Sequence, residues 1–306
     1  MLNSLPEIAL QVIDDKLFKD KNIKLYMLRL DQSNDIISGN KWFKLKYNLI
    51  EAKKQNCKTL LSFGGAYSNH IHALAAAASC FNFESIGIIR GEQVTPLNDT
   101  LIDATNMGMH LHYINRLDYR KKTHPDFLKK LLDTFNPLYE KIYIVPEGGS
   151  NSLALKGAAE ITDLIPIDYD YLCLGCGTGG TLAGIATALK KHPQAQLLGF
   201  PALKGADFLN AEIKQFHQNY NNKQYNNWSL NLDYHFGGFG KKNQQLLSFM
   251  DYFYQQHKIE LDFLYTGKMM YGVYDLCKKN YFAANTSIIT IHTGGIQGNR
   301  SLTTEK

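Results

Sequence analysis

The 306-residue sequence predicts an α/β fold with two lobes and mainly parallel, twisted sheets. Short β-branched runs alternate along the chain with longer segments of helical periodicity, which is the order of a parallel sheet covered by helices. Glycine clusters follow several of these runs, at the positions where ligands approach the backbone of open α/β sheets. The length also exceeds the roughly 100–200 residues of one domain, which favours two lobes sharing one cleft.

The predicted strands, in chain order, are residues 59–63, 85–89, 142–145, 171–174, 196–200 and 287–291. Helical patterns between them include residues 72–79, 181–191 and 244–257. Parallel strands need a crossover connection, usually a helix, so this order favours sheets with helices on both faces. The polar stretch 218–227 is expected to be an exposed loop. The five glycine clusters near strand ends lie at 64–65, 148–149, 175–180, 237–238 and 294–295, and indicate one shared site.

Composition and charge argue against several classes of protein. Hydrophobic residues make up 44% and charged residues 20%, which is typical of a folded globular chain. The net charge of +5 is dispersed in short pairs rather than in the basic stripe of a nucleic-acid-binding protein. No apolar run approaches the ~20 residues that span a bilayer, and residues 1–10 lack the pattern of a secretory signal. We therefore expect a soluble, cytoplasmic protein without nucleic-acid or membrane partners.

The cysteines favour a reducing compartment, because five of them leave one unpaired in any full disulfide scheme. Cys173 and Cys176 have C-x-x-C spacing, but no second Cys or His pair of the required kind lies nearby to complete four ligands. We predict no metal site. Both side chains are expected to be small apolar residues on a buried strand and its exit turn.

The sharpest motif is a loop rich in glycine and threonine between the strand 171–174 and the following helix. It consists of Gly177, Thr178, Gly179, Gly180 and Thr181. Glycines let consecutive N–H groups converge on an anion, a helix N-terminus favours negative charge, and the hydroxyls add donors. The loop therefore predicts a site for a terminal phosphate.

Two alternatives remain for this loop. Gly175, Gly177 and Gly180 also match G-x-G-x-x-G, the fingerprint of a dinucleotide-binding oxidoreductase. That fingerprint requires an acidic residue about 20 positions later for the ribose, and residues 198–202 contain none. A monophosphate cofactor is therefore favoured, and a tight turn without any ligand is the second alternative.

Lys41 lies where a helix is predicted to begin, with Asn40 as its cap. The apolar face of that helix consists of Trp42, Leu45 and Leu49. The positive end of the helix dipole lowers the cost of deprotonating Lys41, and an unprotonated amine is what attacks an aldehyde. The alternative is an ordinary surface lysine, as expected of at least one of Lys44 and Lys46.

Ser68, Asn69 and His70 lie between the strand 59–63 and the helix 72–79. Polar side chains at such a strand-to-helix turn can reach a ligand. The alternative is a simple helix cap formed by Ser68 or Asn69.

Together these segments resemble the family of 1-aminocyclopropane-1-carboxylate deaminases and D-cysteine desulfhydrases. That family consists of pyridoxal-phosphate enzymes of fold type II, which is the tryptophan-synthase-β-like fold. The resemblance spans roughly residues 25–298, and the order and number of its blocks make coincidence improbable. The matching segments are 39–41 with 44–45, 65–70, 90–92 with 96–98, 148–151, 177–181, 264–268 and 292–295.

The resemblance implies pyridoxal 5′-phosphate as the cofactor, a small amino acid as the substrate and a homodimer as the assembly. Lys41 then bonds the cofactor aldehyde, Asn69 contacts its phenolic oxygen, and the loop 177–181 holds its phosphate. Since Lys41 and this loop would belong to one lobe and Ser68 to the other, we predict a large domain of residues 1–45 and 155–306. The small domain comprises residues 46–154.

The resemblance also assigns residues to the substrate. Ser68 resembles the residue that contacts the substrate carboxylate or acts as nucleophile in ring opening. Tyr265 resembles the aromatic hydroxyl beside the substrate, and Asn69 and His70 complete the predicted substrate-binding set. An inert ligand-binding paralogue is a further alternative, against which the retention of Lys41 with these side chains argues.

Thr266 and Thr293 direct the choice of substrate. Family deaminases typically carry Glu after the tyrosine and Leu in the last block, whereas the two threonines resemble the D-cysteine-specific pattern. A carboxylate would keep the pyridine nitrogen protonated, and a threonine at the cofactor is compatible with a neutral ring. We predict a D-cysteine desulfhydrase, with 1-aminocyclopropane-1-carboxylate deaminase as the alternative. The family's P-T-P-L block before Lys41 is absent, and Trp42 and Phe43 replace the smaller and basic residues usual there.

Overall fold

The computed structural model describes residues 7–33, 37, 39–189 and 194–303. Two parts of the sequence predictions lie outside this range. They are residues 1–6, in the segment considered as a secretory signal, and residues 190–191, at the end of the predicted helix 181–191. The strands are β1 (Leu10–Val12), β2 (Lys24–Leu28), β3 (Thr59–Gly64), β4 (Glu84–Arg90), β5 (Met109–Ile114), β6 (Ile142–Val145), β7 (Tyr171–Cys176), β8 (Gln196–Pro201), β9 (Trp228–Leu230) and β10 (Ser287–Ile291).

The α-helices connect and cover these strands. They are α1 (Lys16–Asp20), α2 (Asn40–Lys54), α3 (Asn69–Phe81), α4 (Asp99–Asn106), α5 (Arg116–Tyr119), α6 (Pro125–Phe135), α7 (Ser152–Ala159), α8 (Gly180–Ala188), α9 (Leu209–Asn221), α10 (Gln244–His257), α11 (Thr266–Lys278) and α12 (Arg300–Thr303). No helix of the described ranges is both long and apolar enough to span a membrane.

The strands form two sheets. The larger has six strands in the order β1-β2-β10-β7-β8-β9, and the smaller has four in the order β5-β4-β3-β6. Every pairing is parallel except that of β1 with β2. The prediction of an α/β fold with mainly parallel sheets is confirmed.

The predicted domain boundaries stay a prediction. All strands of the smaller sheet lie within residues 59–145, and the larger sheet takes strands from both ends of the chain. The boundary at 45/46, however, falls inside α2, and the boundary at 154/155 falls inside α7. These two helices pack closely, since a Cβ at Gly157 would lie 1.8 Å from the Phe43 carbonyl oxygen.

The apolar sequences of the central strands follow from their position in the hydrophobic core. All six residues of β3 are buried, as are Cys173 and Cys176 on β7. Burial raises the pKa of the Cys176 thiol to about 12, so it stays protonated at neutral pH. Cys176 ends the strand itself rather than lying in the turn that follows it. The predicted apolar face of α2 is also buried, at Trp42, Leu45 and Leu49.

Candidate active site

A cleft of about 900 Å³ lies at the carboxyl ends of strands from both sheets. Residues that follow β3, β6, β7 and β10 line it, among them Gly65, Glu147, Gly177 and Thr293. The glycine cluster at 237–238 is not in the lining, but Phe239 and Gly240 beside it are. Turns from two sheets therefore meet at one site, as the glycine clusters predict.

Lys41 lines this cleft from the first turn of α2. The prediction that Asn40 caps the helix is wrong, because Gly39 occupies the cap position with a φ of 75°. The Asn40 side chain instead donates a 2.7 Å hydrogen bond to Thr181 Oγ1 and accepts one of 3.1 Å from Lys41 Nζ. Asn40 therefore joins the lysine to the start of α8.

The Lys41 amine has a pKa lowered from 10.5 to about 8. Burial is the main cause, because it disfavours the charged form, and the Asp262 carboxylate partly opposes it. The pKa of Lys41 is lowered, as predicted, but desolvation rather than the helix terminus is the main cause. Near neutral pH an appreciable fraction of this amine is unprotonated and nucleophilic.

The loop 177–181 joins β7 to α8, and Gly179 caps the helix in the left-handed region with a φ of 75°. Thr178 Oγ1 lies 2.7 Å from Ser150 Oγ, which accepts a 2.8 Å hydrogen bond from Lys44 Nζ. Burial and the charge of Lys41 hold the pKa of Lys44 well below its usual value. A chain of donors thus connects a buried amine to the glycine loop.

The expectation that at least one of Lys44 and Lys46 is a surface group is wrong. Both side chains are buried, and Lys46 forms a 2.7 Å ion pair with Glu160. Lys44 bonds a hydroxyl beside the loop instead, so its position suits an anion placed there.

The loop fits the phosphate of pyridoxal phosphate. A Cβ at Gly180 would lie 2.6 Å from Ser150 Oγ and 3.0 Å from Lys44 Nζ, so glycine keeps the space before these groups open. Backbone N–H groups at a helix start, two threonine hydroxyls and a buried amine are the donor set that an anion needs. Lys41 lines the same cleft, so the amine and the donors for an anion border one cavity.

Ser68, Asn69 and His70 also line the cleft. Ser68 caps α3, since its Oγ accepts a 3.3 Å hydrogen bond from the Ile71 N–H, and it reaches the cleft as well. His70 Nε2 lies 2.7 Å from Ser62 Oγ, while its buried Nδ1 has no partner among the described residues. Burial and the charges of the neighbouring lysines lower the pKa of His70 well below 6.5, so the ring is neutral.

Tyr265 lines the cleft, and a Cβ at Gly177 would lie 3.1 Å from its hydroxyl. Burial raises the pKa of Tyr265, so the side chain stays a neutral hydroxyl donor. Its backbone N–H donates a 2.8 Å hydrogen bond to Asp262 Oδ1. Asp262 is fully buried, and this hydrogen bond fixes the turn that carries Tyr265.

Thr266 bonds Asp262, and its contact with the cofactor stays a prediction. It is absent from the cleft lining, and its hydroxyl donates a 2.5 Å hydrogen bond to Asp262 Oδ2 and accepts one of 2.8 Å from the Asp262 N–H. The hydroxyl thus uses its one donor and one of its two acceptor lone pairs at the start of α11. Thr293, by contrast, lines the cleft.

Sequence reasoning missed four residues of this site: Lys44, Ser150, Asp262 and Gln297. Lys44 lies three positions after Lys41, and residues so spaced share a helix face. Asp262 precedes α11 and accepts hydrogen bonds from the backbone N–H groups of Leu264, Tyr265 and Thr266, as the aspartate of an Asx turn does. Gln297 donates a hydrogen bond to Asn69, and no local pattern marks that contact.

Comparisons with known proteins agree with this geometry. A family model for pyridoxal-phosphate-dependent enzymes matches residues 15–294. A bifunctional D-cysteine desulfhydrase/1-aminocyclopropane-1-carboxylate deaminase of Arabidopsis thaliana is 27% identical, over 90% of this chain and 73% of the relative. A D-cysteine desulfhydrase of Klebsiella pneumoniae is 25% identical, over 89% of this chain and 87% of the relative.

A solved structure described as an ACC deaminase homologue shares the fold with a TM-score of 0.84. It is 22% identical in sequence, and the match covers 96% of this chain and 91% of that one. The predicted tryptophan-synthase-β-like fold of type II is thereby confirmed.

Proposed function

Because the chain belongs to the pyridoxal-phosphate-dependent enzymes, we propose that it is a lyase that converts D-cysteine and water to pyruvate, ammonia and sulfide. The observation that carries the proposal is one cleft holding both Lys41, with its pKa lowered to about 8, and the glycine loop beside the buried Lys44. A nucleophilic amine and a phosphate cradle are what an aldehyde-phosphate cofactor requires.

In this proposal Lys41 bonds the cofactor aldehyde and Asn69 contacts the phenolic oxygen. The phosphate is held by the loop 177–181 with Lys44 and Ser150. Of the two predicted threonines, Thr293 lines the cleft and would border the cofactor, whereas Thr266 is not part of the lining. All of these groups except the helix-starting Thr266 border the same cavity or bond a residue that does.

When bound, pyridoxal phosphate supplies an electron sink for the negative charge that develops at the substrate Cα. Lys41 is the proposed base that would take the Cα proton, because its amine lines the cleft in which the substrate would bind. Ser68 and Asn69 bind the substrate carboxylate, with the neutral ring of His70 beside them. Tyr265, kept protonated by burial, would donate a hydrogen bond to the departing sulfur, which leaves as a thiolate.

The choice of D-cysteine rests on the family resemblance and on the names of two relatives. The second candidate, deamination of 1-aminocyclopropane-1-carboxylate, is favoured by the other half of the Arabidopsis relative's name. The site gives one physical reason for preferring D-cysteine. Neither Thr266 nor Thr293 has a carboxyl group, so neither would give the pyridine nitrogen a negatively charged partner. Expulsion of a thiolate needs a weaker electron sink than ring opening.

The test combines cofactor mapping with a substrate screen. Purified protein loaded with pyridoxal phosphate is reduced with borohydride, and peptide mass mapping should locate the label on Lys41. The same preparation is then offered D-cysteine, D-serine, L-cysteine and the cyclopropane amino acid, with assays for sulfide, ammonia and 2-oxo acids. Sulfide and pyruvate from D-cysteine are the expected products.

Three results would contradict parts of this proposal. Ammonia and 2-oxobutanoate from the cyclopropane substrate, without sulfide from D-cysteine, would select the second candidate. If borohydride labels Lys41 but none of the four amino acids reacts, the cofactor assignment holds and only the proposed substrate is wrong. Protein that takes up no pyridoxal phosphate but binds a nicotinamide dinucleotide would make it an oxidoreductase.

We further propose a cytoplasmic homodimer. The reducing compartment is supported by the free state of all five cysteines, of which Cys57, Cys173, Cys176 and Cys277 are buried. The dimer rests on the family resemblance alone. Sedimentation at micromolar concentration should give a particle of twice the 34.7 kDa chain mass, and a monomer would contradict the assembly.

A further inference from the structure

Gln297 contacts Asn69 across the cleft. Its Nε2 donates a 2.9 Å hydrogen bond to Asn69 Oδ1, although 228 residues separate the two in sequence. Asn69 is the first residue of α3, next to the smaller sheet, and Gln297 lies in the turn that follows β10 of the larger sheet. Both residues line the cleft, so the contact belongs to the wall of the proposed cofactor site.

The contact determines which end of the Asn69 amide is free. An asparagine amide has an oxygen that only accepts and a nitrogen that only donates. With Oδ1 engaged by Gln297, the NH₂ group remains for a ligand. A Cβ at Gly295 would lie 2.5 Å from this nitrogen, so the absence of a side chain there leaves room for it.

The turn that carries Gln297 is itself anchored. Asn299 Oδ1 accepts a 3.2 Å hydrogen bond from the Phe263 N–H, and Asn299 Nδ2 donates one of 2.9 Å to the Leu261 carbonyl. The Gly298 N–H closes the turn on the Gly295 carbonyl at 3.0 Å. Gln297 is therefore presented by fixed backbone, as a group that orients another side chain must be.

We propose that Gln297 is a positioning residue that turns the NH₂ group of Asn69 toward the phenolic oxygen of the cofactor. The inference rests on the proposed function, in which Asn69 contacts that oxygen. A donor on this oxygen favours its ionised form. Gln297 thereby lowers the pH at which the lysine-bound cofactor loses its proton, which is visible as the pH midpoint of its absorbance band.

The test substitutes Gln297 in two ways. Glu in Gln297→Glu can only accept a hydrogen bond once ionised, so Asn69 must turn its NH₂ toward it and away from the cofactor. We expect the absorbance midpoint to rise by about one pH unit, and the affinity for pyridoxal phosphate to fall. Met in Gln297→Met leaves the amide free to turn either way, and the rise should be smaller.

The charge of the new glutamate must be separated from the turning of Asn69. The same substitution is therefore measured in an Asn69→Ala background, where there is no amide to turn, and the rise should largely disappear. Gln244→Glu, at an exposed position at the start of α10, adds the same charge elsewhere and should leave the midpoint unchanged. Denaturation curves confirm that each variant is folded.

Two results would overturn the inference. An undiminished rise in the Asn69→Ala background would mean that the charge acts directly, and an unchanged midpoint in both Gln297 variants would mean that Asn69 needs no orienting partner. Failure of the cofactor assignment is recognised separately, because the wild-type protein would then show no cofactor absorbance at all. A different substrate would leave that absorbance, and this test, unchanged.

Discussion

Lys41 and Lys44 lie on one face at the start of α2 and have separate tasks in the proposed site. Lys41 lines the cleft with a pKa lowered to about 8, whereas Lys44 bonds Ser150 beside the glycine loop. Because one amine must react and the other must hold an anion, different experiments report on each.

The pKa of Lys41 predicts the pH dependence of cofactor uptake. Below about pH 8 the amine is mostly protonated and only its small unprotonated fraction attacks the aldehyde, and above that pH the amine is mostly free. The rate at which cofactor-free protein develops the visible band should therefore rise about tenfold per pH unit up to that pH and then level off. Stopped-flow absorbance between pH 6 and 10 measures it. N-acetyl-lysine methylamide is the control, and a protein midpoint as high as that of this free amine would contradict the lowered pKa.

The position of Lys44 predicts a selective loss of phosphate recognition. A bound phosphate favours the charged form of Lys44, so Lys44→Met removes one charge-assisted hydrogen bond, and the Kd for pyridoxal phosphate should rise about 10- to 100-fold. Binding of pyridoxal, which has no phosphate, should change little. Fluorescence titration measures both ligands.

Lys46→Met is the matched control for this substitution. Lys46 is also buried on α2, but its partner is Glu160 rather than the loop. We expect a loss of stability with an unchanged preference for pyridoxal phosphate over pyridoxal. Equal effects of the two substitutions on that preference would remove Lys44 from the phosphate site.

At the level of elements, α11 supports a segment of the cleft wall through Lys268. This fully buried amine donates hydrogen bonds of 2.9 Å and 2.8 Å to the carbonyls of His235 and Gly238. Phe239, the next residue, lines the cleft, and its ring centroid lies 6.2 Å from that of Tyr265. One buried cation thereby fixes backbone that would otherwise have unpaired carbonyls.

Lys268→Met should therefore loosen this segment. The substitution keeps the length of the side chain but removes the donors, and we expect the free energy of unfolding to fall by about 1–3 kcal/mol. Urea denaturation measures the fall, and the KM for the substrate should rise with it. Lys278→Met, at an exposed position on the last turn of the same helix, should change neither quantity. Equal stability of the two variants would show that Lys268 does not hold the segment.

The strands that could be predicted from sequence are those that consist of a continuous apolar run, as strands buried on both faces do. β3 is buried along its whole length, and β6 and β10 have the predicted bounds. By contrast, β5 carries two histidines and is mostly half-buried, and β1 and β9 have only three residues each, so no run marks them. β2, which alternates in burial, was not predicted either.

The residues of the candidate site also fall into two groups, those that local sequence predicts and those that depend on tertiary contacts. Lys41 and the loop 177–181 could be found because their chemistry depends on residues next to them in sequence. The Asn40 cap was wrong because that side chain has a tertiary partner, Thr181, that local rules do not reveal. The contact of Thr266 with the cofactor stays a prediction, and its hydroxyl bonds Asp262. Gln297 could not be predicted, since its partner lies 228 residues away.

At the level of the whole molecule, the two sheets share one hydrophobic core. A single cluster of buried side chains includes Leu60 of β3 and Ile89 of β4 together with Leu172 of β7 and Leu197 of β8. α2 and α7 lie between the sheets and pack on each other, as the close approach of Gly157 to Phe43 shows. Lobes joined in this way should not unfold independently.

The two tryptophans allow this cooperativity to be tested. Trp42 lies in the shared core with its ring stacked at 6.0 Å on Phe81 of α3, and Trp228 lies on β9 at the edge of the larger sheet. In the single-tryptophan variants Trp228→Phe and Trp42→Phe, fluorescence should give the same urea midpoint as far-UV circular dichroism of the same variant. Pyridoxal phosphate at about 100 times its Kd should stabilise each variant by about 2.7 kcal/mol, because it binds only the folded chain. A Trp42 transition that precedes the circular-dichroism transition, or cofactor stabilisation confined to one probe, would show that the lobes unfold separately.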